Sequence, residues 1–240
     1  MRKRLRELVD ADEVLRTGLI HDAVTARIAE EVGFQALMMS GSRTSISMLG
    51  LPDAGYVTMT ECVRNARNIA AAVDIPLMVD GDTGFGNALN VRRTVRELVE
   101  HTQAAGVFFE DQVTPKRCGN VAGKEILGRE EAVGKIRAAC DLRDELDKDF
   151  VIMGRTDAIG AVGGSLEEAI ARGNLFAEVG ADIVFIERPN SVEQLKRIGD
   201  EVDASLLCST SNLSTSLDQE TMAEYGYDIG GGGESLKPLM

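Results

Sequence analysis

The chain has no tryptophan, only 4% aromatic residues and only two histidines, His21 and His101. Its core must therefore be built from Val, Ile, Leu, Ala and Met. Four cysteines, Cys62, Cys118, Cys140 and Cys208, are scattered with no C-x-x-C pair. With so few histidines, that argues against a Cys/His zinc site and points to reduced thiols. The lack of a well-placed histidine base also argues against a Ser-His-Asp hydrolase. No run approaches the ~18–20 uncharged residues that span a bilayer. The start, Met1-Arg2-Lys3-Arg4-Leu5-Arg6-Glu7, is positive, but no apolar signal-peptide segment follows it. A cytoplasmic address is the expectation. Basic residues are in deficit, 26 against 39 acidic, for a net charge of −13. That surplus works against nucleic-acid binding. It also repels anionic substrates unless a metal or a local arginine reverses the field at the site.

What is present is 240 residues, 44% of them apolar and 27% charged. This is close to the ~250 residues of a closed α/β barrel. Near-continuous apolar runs at 35–39, 76–80, 106–110, 150–155, 182–187 and 204–208 read as strands covered on both faces. A first strand is expected at 13–17 and an eighth at 227–229. Helical patterns lie between, at 23–32, 60–72, 90–104, 129–146, 166–179 and 192–202. Such β-α units form either an open doubly wound sheet or a barrel. No G-x-G-x-x-G follows the first strand, which counts against dinucleotide binding. No linker divides the chain, so residues 1–240 read as one domain. The tail is glycine-rich from Gly230 to Gly233 and ends at Met240, and the last unit reads as incomplete.

Polar residues gather directly after the strands, on the face where a barrel builds its active site. Asp80, Asp82 and Glu110, with Asp53, form a set of carboxylates. Packed together they repel unless protonated or bridged by a cation. Hard oxygen donors without His or Cys favour Mg²⁺ or Mn²⁺. The plainer reading of Asp80-Gly81-Asp82-Thr83-Gly84-Phe85-Gly86 is a turn with aspartate caps. Cys118 lies in a glycine-bearing loop beside Lys116 and Arg117, where positive charge activates a thiol. An inert buried thiol is the alternative. Arg155 ends a buried strand, where it either neutralises a carboxylate such as Glu187 or grips a substrate carboxylate. His101 reads as structural, and His21 receives no role.

Five segments together resemble the isocitrate lyase / phosphoenolpyruvate mutase superfamily, over roughly residues 5–227. They are His21-Asp22-Ala23, Leu49-Gly50-Leu51-Pro52-Asp53, the loop Asp80 to Asn87, Glu110-Asp111-Gln112 with Pro115-Lys116-Arg117-Cys118-Gly119, and Arg155-Thr156-Asp157-Ala158. The resemblance implies a parallel (β/α)8 TIM-type barrel. It also implies a homotetramer that often exchanges helix eight, and Mg²⁺ near Asp80 with Asp82, Glu110 and Asp53. A small-molecule carboxylate would be held by the metal, by Ser40, Gly41 and Ser42, and by Arg155. Gly119, Asn120, Glu187 and Asn212 complete the expected substrate contacts. Members with this lysine-bearing Cys-Gly loop are typically lyases, in which Cys118 would protonate the departing carbanion. Asn120 stands where those lyases usually carry histidine, and an amide donates a hydrogen bond but takes up no proton or positive charge at neutral pH.

The expected activity is a Mg²⁺-dependent carbon–carbon lyase on a 2-hydroxy di- or tricarboxylate of the methylisocitrate or dimethylmalate type. Alternatives are an oxaloacetate decarboxylase or a phosphonopyruvate hydrolase or mutase using the same enolate chemistry. A third is a barrel that binds a carboxylate without turning it over. Tyr56 is a candidate base on position alone.

Overall fold

The structure, a computed structural model, describes residues 1–119, 121–213 and 217–231. Eight strands close into a barrel in chain order: β1 (Leu15–Ile20), β2 (Ala36–Met39), β3 (Leu77–Asp80), β4 (Gly106–Glu110), β5 (Val151–Thr156), β6 (Ile183–Ile186), β7 (Ser205–Ser209) and β8 (Ile229–Gly231). Every neighbouring pair is parallel, and Leu15 opposite Ile229 closes the ring. The closed (β/α)8 arrangement decides between the two architectures that the β-α repeat allows.

The strands are apolar on both faces because both are covered. Met38, Met78, Phe108, Met153, Phe185 and Leu207 point into the barrel. Leu37, Val79, Phe109, Ile152, Val184 and Leu206 pack outward against the helices. Those helices are α1 (Arg2–Val9), α2 (Ala23–Glu31), α3 (Gly41–Leu49), α4 (Met59–Ala70), α5 (Ala88–His101), α6 (Arg129–Leu146), α7 (Leu166–Glu178), α8 (Val192–Glu201) and α9 (Gln219–Glu224). Asp22, Thr58 and Asn87 open α2, α4 and α5 with reciprocal capping boxes. Each cap satisfies backbone N–H groups that a helix start leaves free, a contribution of about 1 kcal/mol.

Three local expectations shift. The first strand runs two residues later than 13–17. Ser40-Gly41-Ser42 opens a helix that the sequence pattern did not mark: Ser40 caps α3, and Gly41 begins it. The basic N-terminus forms α1, whose Leu5 and Val9 sit one turn apart and join the barrel's inner cluster. Arg2 bonds the Val99 carbonyl at 2.6 Å and Arg6 pairs with Asp182 at 2.8 Å, holding α1 across the lower end of the barrel. Asn120, and the tail on which the incomplete last unit rests, lie outside the described residues. None of the described helices is long and apolar enough to cross a membrane.

Candidate active site

Each strand delivers its last residue or two to the same end of the barrel. β3 delivers Asp80, β4 Glu110, β5 Arg155, and the segment after β6 Glu187. Asp80 is buried, and its two oxygens accept backbone N–H groups of Gly41 and Asp82, both at 2.9 Å. Position 41 must be glycine for this approach, since a Cβ there would lie 2.7 Å from Asp80 Oδ2. Among the described residues, no Lys, Arg or His side chain forms an ion pair with Asp80.

The neighbouring acids are bridged. Lys116, nearly fully buried, sets its ammonium against Asp53 at 2.9 Å, Glu110 at 3.5 Å and Asp82. The lysine read in the sequence as a charge beside Cys118 is thus aimed at the acids. Burial opposes its charge, but Glu110, Asp82, Asp80 and Asp53 hold its pKa well above the usual lysine value. Burial raises Glu110 to about 8, against the pull of Arg155 and Lys116. Burial likewise raises Asp82 to about 6, against Lys116. Lys116 thus supplies the bridging cation that relieves carboxylate repulsion, and burial favours a retained proton on Glu110 and Asp82.

Arg155 is enclosed by acids. Its guanidinium lies 3.2 Å from Glu110, 3.0 Å from Asp157 and 3.6 Å from Glu187, over the Phe185 ring. Asp157 also binds Lys124, a lysine with no exposed surface, at 2.8 Å. The same ammonium donates to the Gly119 carbonyl at 2.6 Å. Burial works against the Asp157 charge, but Arg155 and Lys124 bring its pKa below the ordinary value. Asp111 braces this layer through Arg172 at 2.9 Å, Thr156 Oγ1 at 2.7 Å and the Asp157 N–H at 2.9 Å.

These groups surround a cavity of about 290 Å³, lined by Ser40, Ser42, Asp53, Asp80, Cys118, Gly119, Arg155 and Glu187 from the sequence-expected set. Arg43, Ser209 and Ser211 complete its polar wall, and Leu19, Met38, Phe108, Phe185 and Leu207 its apolar one. Gly41 reaches the site through Asp80. Asp82 and Glu110 stand behind the lining, joined to it through Lys116 and Arg155. Asn212 lies outside the lining, with its amide donating to Ser211 at 3.3 Å. Tyr56 is 53% exposed and does not line the cavity. A wider groove of about 640 Å³ lies across Lys116 and Asp82, along the starts of α4 and α5, and contains none of the cysteines.

Sequence reasoning missed Lys124, Asp157 and Arg43 as parts of the site, and it misread the target of Lys116. The available signal was charge at positions a parallel barrel buries, as in Arg155-Thr156-Asp157. The pairing of those charges is not written in their spacing.

No three His, Cys, Asp or Glu side chains among the described residues are arranged to hold a metal by themselves. A hard cation that keeps several waters needs only one or two carboxylates. Asp80, without a cationic partner and with acids behind it, fits such an ion in donor chemistry.

The sequence profile described as phosphoenolpyruvate phosphomutase matches residues 5–229. The chain is 46% identical over 228 residues to 2,3-dimethylmalate lyase of Eubacterium barkeri, covering 94% of this chain and 77% of that protein. It is 44% identical over 189 residues to isocitrate lyase of Haloferax volcanii, covering 78% of this chain but only 54% of that protein. Among solved structures, oxaloacetate acetylhydrolase bound to the inhibitor 3,3-difluorooxalacetate superposes with a TM-score of 0.88 at 33% identity. That match covers 95% of this chain and 78% of the other.

Proposed function

Because this chain belongs to the isocitrate lyase / phosphoenolpyruvate mutase superfamily, we propose that it is a carbon–carbon lyase cleaving a 2-hydroxy di- or tricarboxylate of the dimethylmalate or methylisocitrate type. The observation that carries this reading is that Asp80, Cys118 and Arg155 line one cavity, though they come from three separate strand ends.

Asp80 would hold Mg²⁺ or Mn²⁺ directly, with Asp82, Glu110 and Asp53 behind it. The ion's contribution is Lewis-acid stabilisation of negative charge on the 2-oxoacid oxygen. The chain's own groups do the rest. Transfer of the 2-hydroxyl proton to water in the cavity starts a retro-aldol cleavage. The bond to the next carbon breaks, giving a 2-oxoacid such as pyruvate and a carboxylate-stabilised carbanion. The Cys118 thiol gives its proton to that carbanion, and the thiolate regains one from solvent after release. Ser40 and Ser42 supply hydroxyls to orient the substrate. Arg155 is held in the cavity wall by Glu110, Asp157 and Glu187. The loop carrying Cys118 excludes water, which would otherwise quench the carbanion early.

Four scattered cysteines with no C-x-x-C pair suit a reducing cytoplasm. Val24, Ile28 and Val32 form an exposed apolar line along α2, which suits the homotetramer that the superfamily resemblance implies.

The test is pyruvate release, coupled to a dehydrogenase, from 2,3-dimethylmalate, 2-methylisocitrate and oxaloacetate in Mg²⁺ buffer. Release from one of the first two, abolished by EDTA, is expected. Cys118→Ser should lower kcat by about a hundredfold or more while KM changes little. Pyruvate release from oxaloacetate alone would favour the decarboxylase reading, which the likeness to an oxaloacetate decarboxylase keeps in view. No product from any of the three acids would sink the lyase.

A further inference from the structure

Arg155, Lys116 and Lys124 are the cations nearest the acids of the site, and all three are already committed. Arg155 faces Glu110, Asp157 and Glu187. Lys116 faces Asp53, Asp82 and Glu110. Lys124 faces Asp157 and the Gly119 carbonyl. With Asp80 added, the buried acids outnumber the buried cations. A substrate with two or three carboxylates therefore meets a negative field, in a molecule whose net charge is already −13.

Arg43 is the exception. It lines the same cavity as Asp80, Cys118 and Ser209. Its guanidinium makes a single side-chain hydrogen bond, from one terminal nitrogen to the Leu19 carbonyl at 3.0 Å. It forms no ion pair among the described residues. Its remaining N–H groups are free to fork onto a carboxylate, the geometry guanidinium serves best. The Leu19 bond and the bond from the Arg43 backbone N–H to Ser40 Oγ at 3.3 Å fix where the side chain starts and where it points.

We infer that Arg43 is the specificity-determining residue of this cavity. It receives a second carboxylate of the substrate, which makes a dicarboxylate the preferred class over a 2-hydroxy monocarboxylate. This rests on the lyase reading for the reaction, but its test does not need turnover.

Lactate and malate differ by one carboxylate, so they isolate its contribution. Calorimetric titration of the full chain in Mg²⁺ buffer should show malate binding about ten- to a hundredfold more tightly than lactate, the range for a charge-assisted contact. Arg43→Met should bring malate down to the level of lactate and leave lactate unchanged. Arg43→Lys should keep part of the difference. Unchanged lactate binding shows that the cavity of the variant is intact. Equal binding of the two acids to the unaltered protein overturns the assignment, as does an equal loss of both in Arg43→Met. If no 2-hydroxy acid is cleaved while malate keeps its advantage and loses it in Arg43→Met, the reaction assignment falls and the Arg43 assignment stands.

Discussion

Glu110 has almost no exposed surface, and one of its oxygens accepts a 3.1 Å hydrogen bond from the Gln112 amide. Burial lifts its pKa to about 8, although Arg155 and Lys116 pull it down. In the unfolded chain the same group titrates near 4.5. Between those values the folded state holds a proton that the unfolded state has released. The associated stability is complete below the lower value and is lost as pH rises through the upper one. Asp82, at about 6, adds to the lower half of that window. In metal-free protein, the Tm should therefore fall between about pH 5 and about pH 8. Glu110→Gln should flatten the decline, because an amide keeps the shape and never ionises. A slope equal to that of the unaltered protein would remove Glu110 as its source.

The element that carries Cys118 is the segment between β4 and α6. Its base is stitched by Gln112, which donates to the Arg117 carbonyl and accepts from the Arg117 N–H, both at 2.9 Å. The return strand is held by Val113 N–H to the Glu125 carbonyl and Leu127 N–H to the Asp111 carbonyl, both 2.8 Å. Lys124 adds the tie to the barrel, linking Gly119 to Asp157 and through it to Arg155. Gly119 is forced by the same crowding, since a Cβ would stand 2.6 Å from Arg155. Lys124→Met leaves Asp157 short of one buried partner, a loss of about 3–5 kcal/mol. Trypsin should then cut at Lys116 or Arg117 faster, and kcat should fall with the thermal melt still cooperative. Lys124→Arg should restore part of both. Cleavage at an unaltered rate in Lys124→Met would mean that the tie does not hold the segment.

Across the molecule, chemistry and stability are separated to opposite ends of the barrel. The acids, Cys118 and the cavity occupy the end where the strands finish. At the other end, α1 inserts Leu5 and Val9 against the inner cluster. Leu5→Ala opens a cavity there and should reduce stability by about 2–5 kcal/mol, read by chemical denaturation. The kcat should change little, because Leu5 is not among the residues that line the cavity. A fall in kcat measured well below the melting temperature would show that the two ends are coupled.

The alternation of apolar runs and amphipathic stretches was enough to mark eight strands, because a strand covered on both faces has no polar alternation to hide it. The charged groups at strand ends were legible too, since a parallel barrel gathers its polar groups at the C-terminal ends of its strands. Leu5 and Val9 were less so: two apolar residues among four arginines and lysines look like a charged leader until a barrel end is there to receive them. Which cation meets which acid was left to the tertiary structure. Lys116 lies two residues from Cys118 yet turns to Asp53, Asp82 and Glu110, because buried charges settle by distance in space, and Arg43 makes no ion pair among the described residues. Linear order brings such groups near one another but does not choose their partners.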